Sequence, residues 1–110
     1  MYWFVLNVKR KNEIKIARLL EDNGFNVYCP TFTSVQNWSD RKKKVIKPLI
    51  GGHIFIKIKE KERAKVFEIL GVFKYLFYLG VPAKVPNKEI KILKDFLKEG
   101  TSIPLIDNIK

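Results

Sequence analysis

Cysteine is nearly missing from this chain. Cys29 stands alone, so no internal disulfide can form, and with His53 as the single histidine no Cys/His cluster exists at metal-ligand spacing. Structural zinc and a disulfide-stapled fold are set aside on that ground. No run of about 18 or more apolar residues occurs, which argues against a transmembrane helix. The start Met1-Tyr2-Trp3 lacks the basic segment of a secretory signal, so a soluble, cytoplasmic protein is expected. Acidic residues are scarce: 11 Asp and Glu stand against 22 Lys and Arg, a net charge of +11 at pH 7. Such an imbalance favours contact with polyanions without separating DNA, RNA and membrane, and a lysine-rich surface is also a common background. With 110 residues, 46% of them apolar, the chain can bury one modest core and is expected to form one domain.

What is present reads as alternating short elements. Tyr2 to Val8 carries apolar residues in both phases, the pattern of a central strand covered on both sides. Asn12 is placed to cap a helix whose Glu13 suits the positive helix start, and the stripe Ile16, Ala17, Leu19, Leu20 ends at Gly24. Phe25 to Cys29, closed by Pro30, reads as a second strand. Thr31 to Val35 and Lys42 to Lys47 alternate like strands around the turn residues 36–41, predicting an exposed hairpin with a tryptophan and a basic run at its tip. His53 to Ile58 is the clearest strand, with Ile54, Ile56 and Ile58 on one face and His53, Phe55 and Lys57 on the other. A helix over Glu60 to Leu70 with Ala64, Phe67 and Leu70 or Val66 inward, a strongly aromatic strand Phe73 to Leu79, and a third helix after Asn87 bearing Ile90, Leu93, Phe96 and Leu97 complete the pattern. The order implies an α+β fold, an antiparallel sheet flanked by three helices, over residues 1–98, with 99–110 as a linker or tail.

Catalytic constellations are not found. The acids sit singly in lysine-rich helices, where solvated pairing explains them. Gly51-Gly52 lacks the lysine and hydroxyl residue of a P-loop and precedes a strand, so it serves to turn the backbone. His53 has no nucleophile or orienting acid nearby in sequence, and Cys29 before Pro30 reads as a small buried hydrophobe. The surface is more informative. His53 and Phe55 share a sheet face with Trp3 and Val5 that needs covering, by the protein's own helix or by a partner's. Lys9-Arg10-Lys11 at the first strand-to-helix turn and Arg41-Lys42-Lys43-Lys44 beside Trp38 would suit an unwound nucleic acid, or else are solvated faces.

The linear order of Trp3-Phe4-Val5-Leu6, a basic turn, a helix, Val27-Tyr28-Cys29-Pro30, a basic hairpin, Pro48 to Ile56, Gly71-Val72 and Pro82-Ala83 resembles the N-terminal (NGN) domain of the NusG family. The stretches Val27 to Thr31 and Trp38 to Lys44 look like the specialised UpxY-type and RfaH-like antiterminators of that family. The resemblance implies an NGN-like sandwich with a protruding basic hairpin, no enzymatic activity, no cofactor, and a monomer without membrane contact. It implies docking on the clamp helices of the largest RNA polymerase subunit through Trp3, Asn7, Ile50, His53, Phe55, Tyr75 and Tyr78, and promotion of processive elongation. Lys9, Arg10, Lys11, Trp38, Arg41, Lys42, Lys43 and Lys44 would approach the non-template DNA strand or the opposite polymerase wall. Where the family usually has Phe-Pro-Gly-Tyr, this chain has Ile50-Gly51-Gly52-His53, losing two aromatics from the expected patch. Family members normally continue into a KOW domain, which this chain of 110 residues lacks. A free-standing RNA-binding module using sheet aromatics and basic clusters is the alternative.

Overall fold

The computed structural model describes residues 2–38 and 41–98. Strand β1 (Tyr2–Val8) is the axis of an antiparallel sheet in which β2 (Asn26–Tyr28), β5 (His53–Lys57), β1 and β6 (Val72–Tyr75) lie side by side. The edge of β1 that pairs with β6 through Leu6 to Val8 pairs with β9 (Lys84–Pro86) through Tyr2 to Phe4. Because side chains alternate across a strand, β1 contributes to two apolar clusters at once. Phe4, Leu6 and Val8 join Ile54 and Ile56 beneath helix α1 (Glu13–Asp22) and a 3-10 helix (Glu60–Glu68). Trp3, Val5 and Phe55 form the second cluster with Ile90 of helix α2 (Asn87–Lys98). Leu6, Leu20, Ile54 and Ile56 have no exposed surface, and each such side chain contributes about 2 kcal/mol on burial.

The α+β class, the antiparallel pairing and the three helices agree with the sequence reading, while several local expectations change. Asn12 stands at the start of α1 without a side-chain cap. At the other end, the Phe25 N–H donates to the Leu20 carbonyl and the Gly24 N–H to that of Glu21, the paired bonds of a Schellman motif. The 60–68 segment is wound with three residues per turn, which brings Arg63, Val66 and Ile69 to the core side and leaves Ala64, Phe67 and Leu70 exposed. Of the residues an α-helical period pointed inward, only the alternative Val66 is buried. The aromatic stretch after Gly71 is not one strand: β6 ends at Tyr75, and a separate hairpin follows, β7 (Phe77–Tyr78) and β8 (Val81–Pro82). Phe73 is the extra residue of an irregularity where Asn7 faces Lys74 and Val8 faces Val72. Phe96, expected inward on α2, is exposed.

Strands β3 (Thr31–Trp38) and β4 (Arg41–Pro48) pair along their whole length, from Thr31 with Pro48 to Trp38 with Arg41, as a sheet of their own. The turn is therefore shorter than the expected 36–41. The expected linker 99–110 lies outside the described residues.

Helix α2 is anchored by a polar bond as well as by Ile90. The Trp3 indole N–H donates to Asn87 Oδ1 at 3.0 Å, and the Lys57 and Lys94 ammonium groups lie 5.8 and 5.2 Å from the Trp3 ring centre. We predict that Asn87→Ala costs about 1–2 kcal/mol in urea unfolding and shifts Trp3 emission to the red in a Trp38→Phe background. Unchanged stability and emission would show that the bond does not hold α2 down.

Candidate functional site

The sheet face opposite α1 is built in rows, because antiparallel register sets residues of neighbouring strands side by side. Phe55, Val5 and Leu76 form one row: Phe55 faces Val5 in register, and the Leu76 N–H donates to the Val5 carbonyl. His53, Asn7 and Lys74 form the next row toward the Gly51-Gly52 turn. Helix α2 covers the Trp3 end and, in the first of these rows, Val5 and Phe55, while Leu76 stays exposed.

This arrangement corrects the expected apolar patch. Trp3 is 3% exposed and Phe55 9%, both enclosed in the cluster under α2, and Tyr28 stacks on Phe55 at 6.3 Å. Tyr75 is 4% exposed and points to the opposite face, where its hydroxyl donates to the Arg63 carbonyl at 2.9 Å. Its ring meets Phe4 and Phe67 edge-on, and burial pushes its hydroxyl pKa up to about 12, against a smaller lowering by the Arg63 guanidinium. Trp3, Phe55 and Tyr75 are core residues because strand alternation hands each to a helix of this chain. Asn7, Ile50, His53 and Tyr78 remain accessible, Ile50 at 39% and Tyr78 at 68%.

His53 is held by two polar contacts. Its Nδ1 lies 3.0 Å from the Gly51 carbonyl, which can only accept, so Nδ1 carries the proton. Nε2 then accepts from the Asn7 amide nitrogen at 3.4 Å. Both ring nitrogens are engaged, which fits a positioning role and not a general base. Among the described residues no group of three His, Cys, Asp or Glu could hold a metal.

The turn before His53 is tied to the basic segment Lys9-Arg10-Lys11, all exposed. Gly52 has φ +76°, its N–H donates to Glu13 Oε2 at 2.7 Å, and its carbonyl accepts from the Val8 N–H at 2.9 Å. Glu13, read from sequence as a helix-dipole residue, is thus buried and spent on this turn. The Arg10 side chain lies across both glycines, its guanidinium carbon 3.7 Å from where a Cβ on Gly51 would sit. A Cβ on Gly51 would make ordinary contact with it, whereas one on Gly52 would come within 3.3 Å of Arg10 Cγ on a backbone that disfavours any side chain. Arg10 and the Ile50–His53 segment are therefore neighbours. Arg41, Lys42, Lys43 and Lys44 are exposed at the far end of β3 and β4, separated from the Pro48 base by up to about 24 Å at the usual rise per strand residue. The backbone pairing places Trp38 opposite Arg41.

Sequence reasoning missed the flank beyond β6. Leu70, Phe73, Leu76, Phe77, Leu79 and Val81 are all exposed, a density of apolar surface in one segment that single scattered residues do not create. Its signal was the run Phe73 to Leu79, apolar in both phases with one lysine, which a strand with a single buried face would not show. A groove of about 730 Å³ lies elsewhere, between Tyr2, Phe25 and the 3-10 helix; two of its lysines are paired, Lys84 with Glu60 at 3.7 Å and Lys65 with Glu62 at 3.6 Å.

The geometry defines an α+β domain whose distinctive groups are an apolar flank and cations beside it. The model of the family described as transcription termination factor nusG matches residues 1–94. The chain belongs to the NusG family, transcription elongation and termination factors that interact with RNA polymerase. No curated protein matches the chain significantly.

Cys29 is half-buried against the core beneath α1, and burial first, the nearby Glu13 charge second, push its thiol up to about 11. At pH 8 only about one thiol in 1,000 would be thiolate, so iodoacetamide should label the native protein on the order of 100-fold more slowly than the urea-unfolded chain. Labelling should accelerate as pH rises toward 11; equal native and unfolded rates at pH 8 would contradict the burial.

Proposed function

We propose that this domain binds the clamp helices of the largest RNA polymerase subunit and contacts the exposed non-template DNA strand, favouring processive elongation in the manner of the specialised antiterminators. The observation that carries this reading is the open half of the sheet face: Asn7, His53, Lys74 and Leu76 lie uncovered beside α2, continuous in sequence with the apolar flank up to Val81. A surface of this kind, polar along the Asn7 row, apolar along the flank and bordered by Lys9 and Arg10, suits an amphipathic helix with acidic flanks. Helix α2 weighs against the RNA-module reading, since it covers Trp3 and Phe55, which would otherwise stack on bases.

The dock uses Ile50, His53, Asn7 and Tyr78, with Trp3, Phe55 and Tyr75 supporting the sheet from within. Ile50→Asp is expected to weaken binding to a clamp-helix coiled coil by about tenfold or more while leaving the melting temperature within about 2 °C, because the site is surface-exposed. Phe55→Asp, by contrast, is expected to unfold the domain, since it buries an unpaired charge. Clamp-helix affinity unaffected by Ile50→Asp in calorimetry would remove this face from the reading.

The hairpin cations reach the DNA. Changing Lys42, Lys43 and Lys44 together to Ala should flatten the salt dependence of binding to a 15-nucleotide single strand, by about 0.7 in log–log slope for each phosphate that is no longer neutralised. A slope identical to that of the unaltered protein would count against the hairpin as the element that meets DNA.

A further inference from the structure

We infer that the β7–β8 hairpin is a wedge that the helical partner encloses from two sides, with Leu79 as the anchor at its tip; this rests on the polymerase reading above. The two loop residues, Leu79 and Gly80, have φ of +53° and +83°. Positive φ at both positions gives the short hairpin turn whose twist matches its strands, and the residues that accept it without strain are Asn, Asp and Gly. Leucine there is strained, and at 84% exposure none of the described residues compensates by burying it. A side chain that breaks the local rule and packs against nothing of its own is accounted for by contact with something outside the chain.

The register says what shape that contact has. Phe77 pairs with Pro82 and Tyr78 with Val81, so successive residues send Phe77 to one face of the hairpin and Tyr78 to the other. Phe77, Tyr78 and Val81 are each more than half exposed. A flat partner could cover one face only. Two residues per strand are too few to add a strand to a partner's sheet, whereas a hairpin about 5 Å wide between its strands fits the groove between two packed helices. Charge selects the same occupant: no Asp or Glu occurs between Glu68 and Glu89, and Lys74 precedes the hairpin while Lys84 after it is shared with Glu60, so an acidic rim is favoured. A second copy would bring another chain of net charge +11 against it.

The test compares Leu79→Asn, Leu79→Gly, Phe77→Ser and Tyr78→Ser with the unaltered chain in thermal melting and in calorimetric titration with the clamp-helix coiled coil of RNA polymerase. Leu79→Asn and Leu79→Gly are expected to move in opposite directions in the two measurements: melting rises by roughly 4 °C as strain is relieved, and the dissociation constant weakens about tenfold. A merely structural residue would not show that opposition. Phe77→Ser and Tyr78→Ser should each weaken binding several-fold, since both faces are enclosed. Full affinity in the Leu79 variants, or weakening on one face alone, overturns the wedge. If Ile50→Asp still weakens binding in that case, the polymerase reading stands without it; if the folded, unaltered chain does not bind the coiled coil at all, both fall. Self-association abolished by Leu79→Asn would identify a second copy as the occupant and likewise overturn the proposal.

Discussion

Strand β1 serves two cores at once, and the domain depends on that double duty. Its even residues from Phe4 to Val8 lie under α1 and the 3-10 helix, while Trp3 and Val5 lie under α2, so neither cluster can be disrupted without loosening the strand that builds the other. Neighbouring strands hold it on both edges. A strand so enclosed tolerates little displacement. It therefore gives the open row beginning at Asn7 a rigid floor, and the docking role proposed above needs that rigidity, because a binding face that must first be ordered loses affinity to entropy.

Helix α2 decides how much of that face is available. It stops short of the row containing Asn7 and His53, leaving a step between a covered and an uncovered half of one sheet. The Gly51-Gly52 turn sets the height of the open half: Glu13 draws it toward α1 from inside, and Arg10 lies over it from outside. The aromatics missing from positions 50 and 53 relative to the usual family pattern are thus replaced by a compact turn with an arginine above it. Polar and cationic groups consequently enter a region where the family resemblance implied a broader apolar one.

Much of this was legible in the sequence. The two-phase apolar pattern of Tyr2 to Val8, the isoleucine alternation of β5 and the periodicity of α1 each pointed to the element that forms. The basic turn at Lys9 to Lys11 was legible too, since charge is local. The failures have a common physical cause. Exposure of Trp3, Phe55 and Tyr75 depends on which face a distant helix occupies, and no local pattern carries that information. The 3-10 winding of residues 60–68 changed the period from 3.6 to 3.0 and with it the identity of the buried set. The β7–β8 hairpin was hidden because its turn uses leucine where the usual signal would be asparagine or glycine.

The β3–β4 ribbon pairs with no other described strand and joins the rest of the chain at Pro30 and after Pro48, with the Leu49 N–H bound to the Pro30 carbonyl at 2.7 Å. A ribbon fastened at one end is a lever. With an arm of about 24 Å, a tilt of only about 10° at that attachment carries the terminal cations through about 4 Å, more than the roughly 3.4 Å axial step between phosphates on one strand of a duplex. On the DNA contact proposed above, modest rocking at the base would change which phosphates the lysines meet, while the sheet and its open face stay where they are.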